Sequence, residues 1–148
     1  MADAARVRPV WIVVGAVLGA LAVNLLIWLI GRGLGGSFVY LEAGGRPHTT
    51  TAPQGVITMT VVPMTAGLVA AALLGSRWPV MVRVAQVAGP LLALATVAMT
   101  FTAGFDGVSQ IALTSMHVVI AVVVAGALQL LARTLGSPDR ASRSTAAA

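Results

Sequence analysis

Four apolar stretches without a single charged side chain dominate this chain of 148 residues. They cover approximately residues 10–30, 56–74, 84–103 and 111–131. Because the hydrocarbon core of a bilayer is about 30 Å thick, a helix needs about 20 residues to cross it, and each stretch has about that length. Only 9% of the residues are charged, whereas a soluble domain has about 25%. The pattern therefore predicts four transmembrane spans and excludes a water-soluble fold.

The spans are predicted to be helices rather than barrel strands. Backbone polar groups in lipid must be bonded internally, which leaves only helices and closed barrels. Barrel strands alternate polar and apolar side chains over about ten residues, whereas residues 118–125 are continuously apolar. The expected fold is an all-α integral membrane protein, a four-transmembrane-helix bundle formed as one domain by residues 1–132. The polar tail, residues 133–148, has too few apolar residues to fold alone and is predicted to be disordered.

The longest loop joins the first two spans and is predicted to form a small extracellular hairpin. Residues 37–41, Ser-Phe-Val-Tyr-Leu, favour a strand, and the Ala-Gly-Gly-Arg segment that follows is a turn signal. The threonines at 49–51 would form the returning strand. An irregular, solvated loop is the alternative.

Arginine placement predicts the orientation of the spans. All nine basic residues are arginines, and the net charge is +5. The N-terminus, the loop between spans 2 and 3 and the tail together hold seven: Arg6, Arg8, Arg77, Arg83, Arg133, Arg140 and Arg143. The other two loops hold only Arg32 and Arg46. Since arginines favour the cytoplasmic side, we expect a multi-pass protein of the plasma membrane with both termini in the cytoplasm. No basic stripe with interleaved aromatics is present, so no nucleic-acid partner is expected.

Cysteine is absent, which excludes disulfide exchange, thiolate nucleophiles and cysteine-ligated metals. No motif for nucleotide binding, zinc hydrolysis or a serine nucleophile occurs in the chain. We therefore expect no cofactor and no metal site.

A few polar residues inside the spans form the candidate ligand site. Asn24 and His117 each lie six residues from the predicted outer end of their span, about 9 Å deep at the helical rise of 1.5 Å per residue. Thr60 and Thr100 also fall in the outer half. Small residues at four-residue spacing accompany Asn24 and His117, which favours positions facing other helices. We therefore predict an outward-facing polar pocket at these four residues.

His117 has two interpretations that the sequence leaves open. An ionisable residue inside a membrane is a functional-site hypothesis by default. A neutral imidazole that bonds to Asn24 or to a threonine across a helix interface would serve packing alone. If the protein is an enzyme, His117 would act with Asp106 or Glu42 as acid and base. Asp106 equally fits a cap of span 4, because an aspartate before a helix is a start signal, or a pair with Arg32 or Arg46.

Two further features complete the pattern of the spans. Gln86 and Gln129 lie near the predicted inner boundary, where their side chains are expected to reach the lipid headgroups. Gly15 and Gly19 form a Gly-x-x-x-Gly motif, which would allow a close helix contact within the chain or between copies.

A known family shares several of these residues. Asn24 in span 1, the Phe38-Val39 pair after it, Pro63, Pro90 and the Met116-His117 pair opening span 4 are the features concerned. In these positions the chain resembles a group of small actinobacterial four-span membrane proteins classed as a domain of unknown function. The resemblance implies a four-helix integral protein of an actinobacterial cell membrane, and it implies no activity, cofactor or catalytic residue.

Three functions are compatible with the sequence. The leading interpretation is a non-enzymatic membrane protein whose polar pocket binds a small or lipid-like ligand or a membrane partner. The second is a small transporter or channel subunit that works as a homo-oligomer, because four helices enclose little pore by themselves. The third is an intramembrane enzyme that acts on a lipid or an isoprenoid by acid–base chemistry.

Overall fold

The computed structural model describes residues 8–41, 47–49 and 53–135, and four long helices make up most of them. These helices are α1 (Pro9–Gly33), α2 (Pro53–Arg77), α3 (Pro79–Thr102) and α4 (Gly107–Leu135). Each is long and apolar enough to cross a membrane. They pack as an antiparallel bundle, so the predicted fold class is confirmed.

The helices extend beyond the apolar stretches at most of their ends. Three of them begin at a proline, Pro9, Pro53 and Pro79, because its fixed φ suits the first turn and its missing N–H is not needed there. At the other end of the chain, α4 continues to Leu135, so the first three residues assigned to the tail are helical. The rest of the predicted tail, residues 136–148, lies outside the described residues.

Two short strands lie where the sequence predicts a hairpin. Strand β1 (Val39–Leu41) pairs antiparallel with β2 (Pro47–Thr49), and Val39 is opposite Thr49. The returning strand begins two residues earlier than the threonine run suggests. The turn between the strands, residues 42–46, lies outside the described residues.

Helices α2 and α4 each contact all three other helices, and α4 is the centre of the bundle because its interfaces with α3 and α1 are the most extensive. Helices α1 and α3 occupy opposite corners and do not touch each other within the described part of the chain. Of the residues of α3, only Val82 and Thr100 are buried, so this helix is the most peripheral. The main core runs between α1, α2 and α4 and includes Leu68, Leu128 and Leu131.

The two ends of the bundle differ in what joins them. At the loop end, α1 leads into β1 and α3 leads into α4. At the turn end, α1 begins, α2 joins α3 and α4 ends. A single residue, Trp78, separates α2 from α3. There, a Cβ atom on Gly75 would overlap the side chain of Val82, so the close approach of α2 to α3 requires glycine.

Candidate functional site

A buried hydrogen bond joins two of the predicted site residues. Asn24 Nδ2 on α1 donates to Thr60 Oγ1 on α2 over 3.0 Å. Both residues are almost fully enclosed, with 1% and 2% of their surface exposed. Asn24 therefore faces another helix, as the sequence predicts, and its hydrogen bond joins α1 to α2.

The amide of Asn24 is only half satisfied. Its Oδ1 is buried without a hydrogen-bond partner. Exchanging the amide oxygen and nitrogen would only transfer the deficit to Nδ2, because Thr60 contacts one end of the group. A buried amide atom without a partner costs about 1–3 kcal/mol. The Oδ1 atom therefore keeps an unused acceptor position inside the bundle.

Trp28 adds a second unpartnered polar atom to the same helix. It lies four residues after Asn24, one turn nearer the loop end, and its Nε1 is buried without an acceptor. Its ring packs against a small cluster that contains Val56 and Met116. Sequence reasoning missed Trp28 because an apolar aromatic in a span is ordinarily a packing residue. The i, i+4 spacing from Asn24 was the available signal.

In the packing interpretation, His117 was expected to bond to Asn24 or to a threonine of another helix. Neither bond is found among the described residues. The Nδ1 atom of His117 lies 2.7 Å from the carbonyl oxygen of Leu113, one turn earlier on α4. Because a carbonyl can only accept, Nδ1 carries the proton, and Nε2 is left for another partner. The side chain is half-buried. His117 is therefore anchored within its own helix.

Thr100 is not hydrogen-bonded to the Asn24–Thr60 pair. It is buried near the end of α3, which contacts α2 but not α1. Among the described residues, no hydrogen bond links Thr100 or His117 to that pair. Of the four residues assigned to the pocket, hydrogen bonding joins two.

Asp106 caps α4. Its Oδ1 accepts the backbone N–H of Ser109 at 2.9 Å, while its Oδ2 accepts the Ser109 hydroxyl at 2.7 Å. The same Oδ2 accepts the N–H and the hydroxyl of Ser37, at 3.0 Å and 2.6 Å. The hydrogen bonds from the Ser109 and Ser37 side chains hold the pKa of Asp106 well below its usual range. A carboxylate so stabilised is a poor general base.

The alternatives for the acidic residues are thus partly resolved. The cap predicted for Asp106 is confirmed, and its pairing with Arg32 is not found. Arg32 Nη1 donates instead to the carbonyl oxygen of Gly36, at 3.0 Å. Glu42 and Arg46 lie outside the described residues. Within the described part of the chain, no group of three acidic or histidine side chains could hold a metal ion.

Phe38 closes the loop end of the bundle. It is only 2% exposed and takes a positive φ of 52°, a backbone conformation that a bulky residue rarely adopts. Its N–H donates to Ser109 Oγ at 2.8 Å. Its ring fits against α1 only because residue 31 is glycine, since a Cβ there would lie 2.8 Å from the ring. The signal for Ser109 was its position three residues after Asp106, where an N-cap side chain bonds the helix.

A second polar bridge joins α3 to α4 nearer the turn end. Gln86 Nε2 donates to Gln129 Oε1 over 2.7 Å. That these amides lie at the depth of the headgroups stays a prediction. The two long side chains meet across the helix interface, and the bond satisfies one polar atom of each amide.

The geometry defines a class of protein: a multi-span helical membrane protein whose interior carries a few interhelical polar bonds. The chain belongs to the family of unknown function DUF6069, whose model matches residues 4–135. Neither the curated proteins nor the solved structures include a match to this chain.

Proposed function

We propose that this protein is a non-enzymatic membrane protein that binds a small or lipid-like ligand, or a membrane partner, at a polar site around Asn24 and Thr60. The observation that carries the proposal is the amide of Asn24, which is almost fully enclosed and has one unpartnered end. The buried indole N–H of Trp28 supplies a donor one turn away. Together they would recognise a group that both donates and accepts, such as a hydroxyl.

The setting of the proposal is an actinobacterial plasma membrane with both termini in the cytoplasm. Among the described residues, the turn end carries Arg8, Arg77, Arg83 and Arg133, whereas the loop end carries Arg32. This asymmetry supports a cytoplasmic turn end. The site at Asn24 then lies nearer the outer leaflet than Gln86 and Gln129 do.

The enzymatic alternative receives less support from the residues that would carry it. Asp106 is held as an ionised cap by four hydrogen bonds. His117 has one ring nitrogen bound to its own helix. No observation favours a transporter over a binding protein.

The test compares molecules retained by the wild type and by two variants. Each is extracted in a mild detergent and analysed by native mass spectrometry. Asn24→Leu removes the site amide, and Gln129→Leu is a matched control that removes a span amide elsewhere. We expect one retained species in the wild type and in Gln129→Leu that Asn24→Leu loses. Identical adducts in all three proteins would contradict the proposal.

A further inference from the structure

The Asn24–Thr60 pair lies between two apolar clusters. One helical turn toward the turn end, Met64 belongs to the main core. One turn toward the loop end, Val56 belongs to the small cluster that also contains Phe38. Because only 1% of the surface of Asn24 and 2% of that of Thr60 are exposed, a molecule reaches the pair only if the side chains around it move.

The small cluster has one buried member that does not lie on a helix. Val56, Ala112 and Met116 lie on α2 and α4, whereas Phe38 lies on the irregular chain between α1 and β1. We call residues 34–38 of that chain the strap. Moving a helix disturbs the packing of the whole bundle, while moving the strap disturbs only contacts at the loop end. Phe38 is therefore the part of the enclosure that can open locally.

The backbone of the strap supplies a hinge and carries strain. Gly35 takes a positive φ of 90°, and a glycine can absorb large changes in φ and ψ. Phe38 takes a positive φ of 52°, a strained conformation for a bulky residue that persists only where the surroundings hold it. The closed position of the strap therefore depends on the contacts that hold it.

One carboxylate provides most of those contacts. Asp106 Oδ2 accepts the N–H and the hydroxyl of Ser37, at 3.0 Å and 2.6 Å. The same oxygen accepts the hydroxyl of Ser109, whose oxygen in turn accepts the N–H of Phe38 at 2.8 Å. The bonds to Ser37 are exposed, so water can replace them when the strap moves.

We propose that the strap is a gate, in which Phe38 leaves the small cluster and opens a path from the loop end to Asn24 and Thr60. Gly35 is the hinge, and Asp106 is the latch. The gate rests on the proposed function, since the molecule that enters is the small or lipid-like ligand of that site, and it adds the end of the bundle from which the ligand arrives. With the turn end in the cytoplasm, as proposed, the gate opens to the outer side of the membrane.

The test measures how fast a thiol reagent reaches the pair. The chain has no cysteine, so Thr60→Cys places a single thiol at the site. The full chain in lipid nanodiscs is treated with a charged, membrane-impermeant methanethiosulfonate, and labelling is followed by mass spectrometry. Asp106→Asn, which weakens the latch, should speed labelling about tenfold, the factor of one hydrogen bond to a charged acceptor. Phe38→Ala, which removes the gating ring, should speed labelling more.

Two controls separate a local gate from a loosened bundle. Leu68→Cys places the thiol two turns nearer the turn end, in the main core, and its labelling should not respond to Asp106→Asn. Gly75→Ala destabilises the turn end and should leave the labelling of Thr60→Cys unchanged. Equal acceleration at both thiols would overturn the gate, and so would an unchanged rate at Thr60→Cys in the Asp106→Asn and Phe38→Ala proteins. Labelling requires no ligand, so it succeeds or fails separately from the retention experiment.

Discussion

The two ends of the bundle are closed by different kinds of interaction. At the loop end, directional hydrogen bonds to Asp106 and Ser109 fix the chain that follows α1, and Phe38 is buried beneath it. At the turn end, α2 and α3 meet by close apolar approach at Gly75, and the surface between α1 and α4 stays open. One end is thus held by directional polar contacts over a buried ring, and the other is held by apolar packing beside an open groove.

The strongest test of this difference is removal of the aromatic that closes the loop end. Phe38→Ala should lower the free energy of unfolding by about 3 kcal/mol, because it leaves a cavity where a buried ring packed. Thermal unfolding in detergent micelles, followed by circular dichroism, measures the change. Phe101→Ala is the control, because that ring is 59% exposed and should change stability little. An equal loss in both variants would mean that Phe38 does not close the bundle.

At the turn end, the packing of α2 against α3 is tested by adding a methyl group at Gly75. Gly75→Ala should cost about 2 kcal/mol, because the added methyl group overlaps Val82 and overpacking is expensive. The same unfolding measurement applies. Val82→Ala should rescue much of the loss when the two changes are combined. Gly67→Ala is the control, since a Cβ there meets open space. A Gly75→Ala protein as stable as the wild type would show that the turn end is loosely packed.

The polar closure of the loop end predicts a dependence on pH. The pKa of Asp106 is lowered in the folded state, so its contribution is present above its ordinary value of 3.8 and declines as the pH falls below that value. Asp106→Ala should cost about 1 kcal/mol near neutral pH through loss of the cap. The difference between the two unfolding midpoints should be constant from pH 7 to about pH 5 and should narrow as the pH falls toward 3. A constant difference across this range would mean that the ionised cap does not stabilise α4.

The smallest effects are expected from the interhelical bonds inside the spans. Double-mutant cycles on Asn24 with Thr60 and on Gln86 with Gln129 should each give a coupling energy of about 0.6 kcal/mol, the average for such bonds in membranes. In these cycles, leucine replaces each amide residue and valine replaces Thr60. Equal coupling energies for the two pairs would show that the interactions distinguishing the loop end from the turn end lie outside the spans. A coupling above about 2 kcal/mol for one pair would place it among the main contributions.

The number of spans and their helical structure could be predicted from the sequence, because a charge-free segment of this length can adopt few structures in lipid other than a spanning helix. The cap at Asp106 was also predictable, since it depends on residues three apart in the chain. The burial of Phe38 was not, because it requires a positive φ and a glycine at position 31 on another element. Likewise, spacing could not predict the neighbours of Thr100 and His117, because these depend on which helices pack together and on how each helix is rotated about its axis.

The central position of α4 has a consequence for biogenesis. It is the last of the four helices to leave the ribosome, and its interfaces with α3 and α1 are the two most extensive in the bundle. Until it inserts, Ala20 of α1 and Leu68 of α2 lack the side chains of Leu128 and Leu131 with which they form the core. Helix α3 then has only α2 as a neighbour. Assembly of the four-helix bundle is therefore completed only when α4 inserts, and a chain stalled before α4 would present its unfinished helix faces to quality-control proteases.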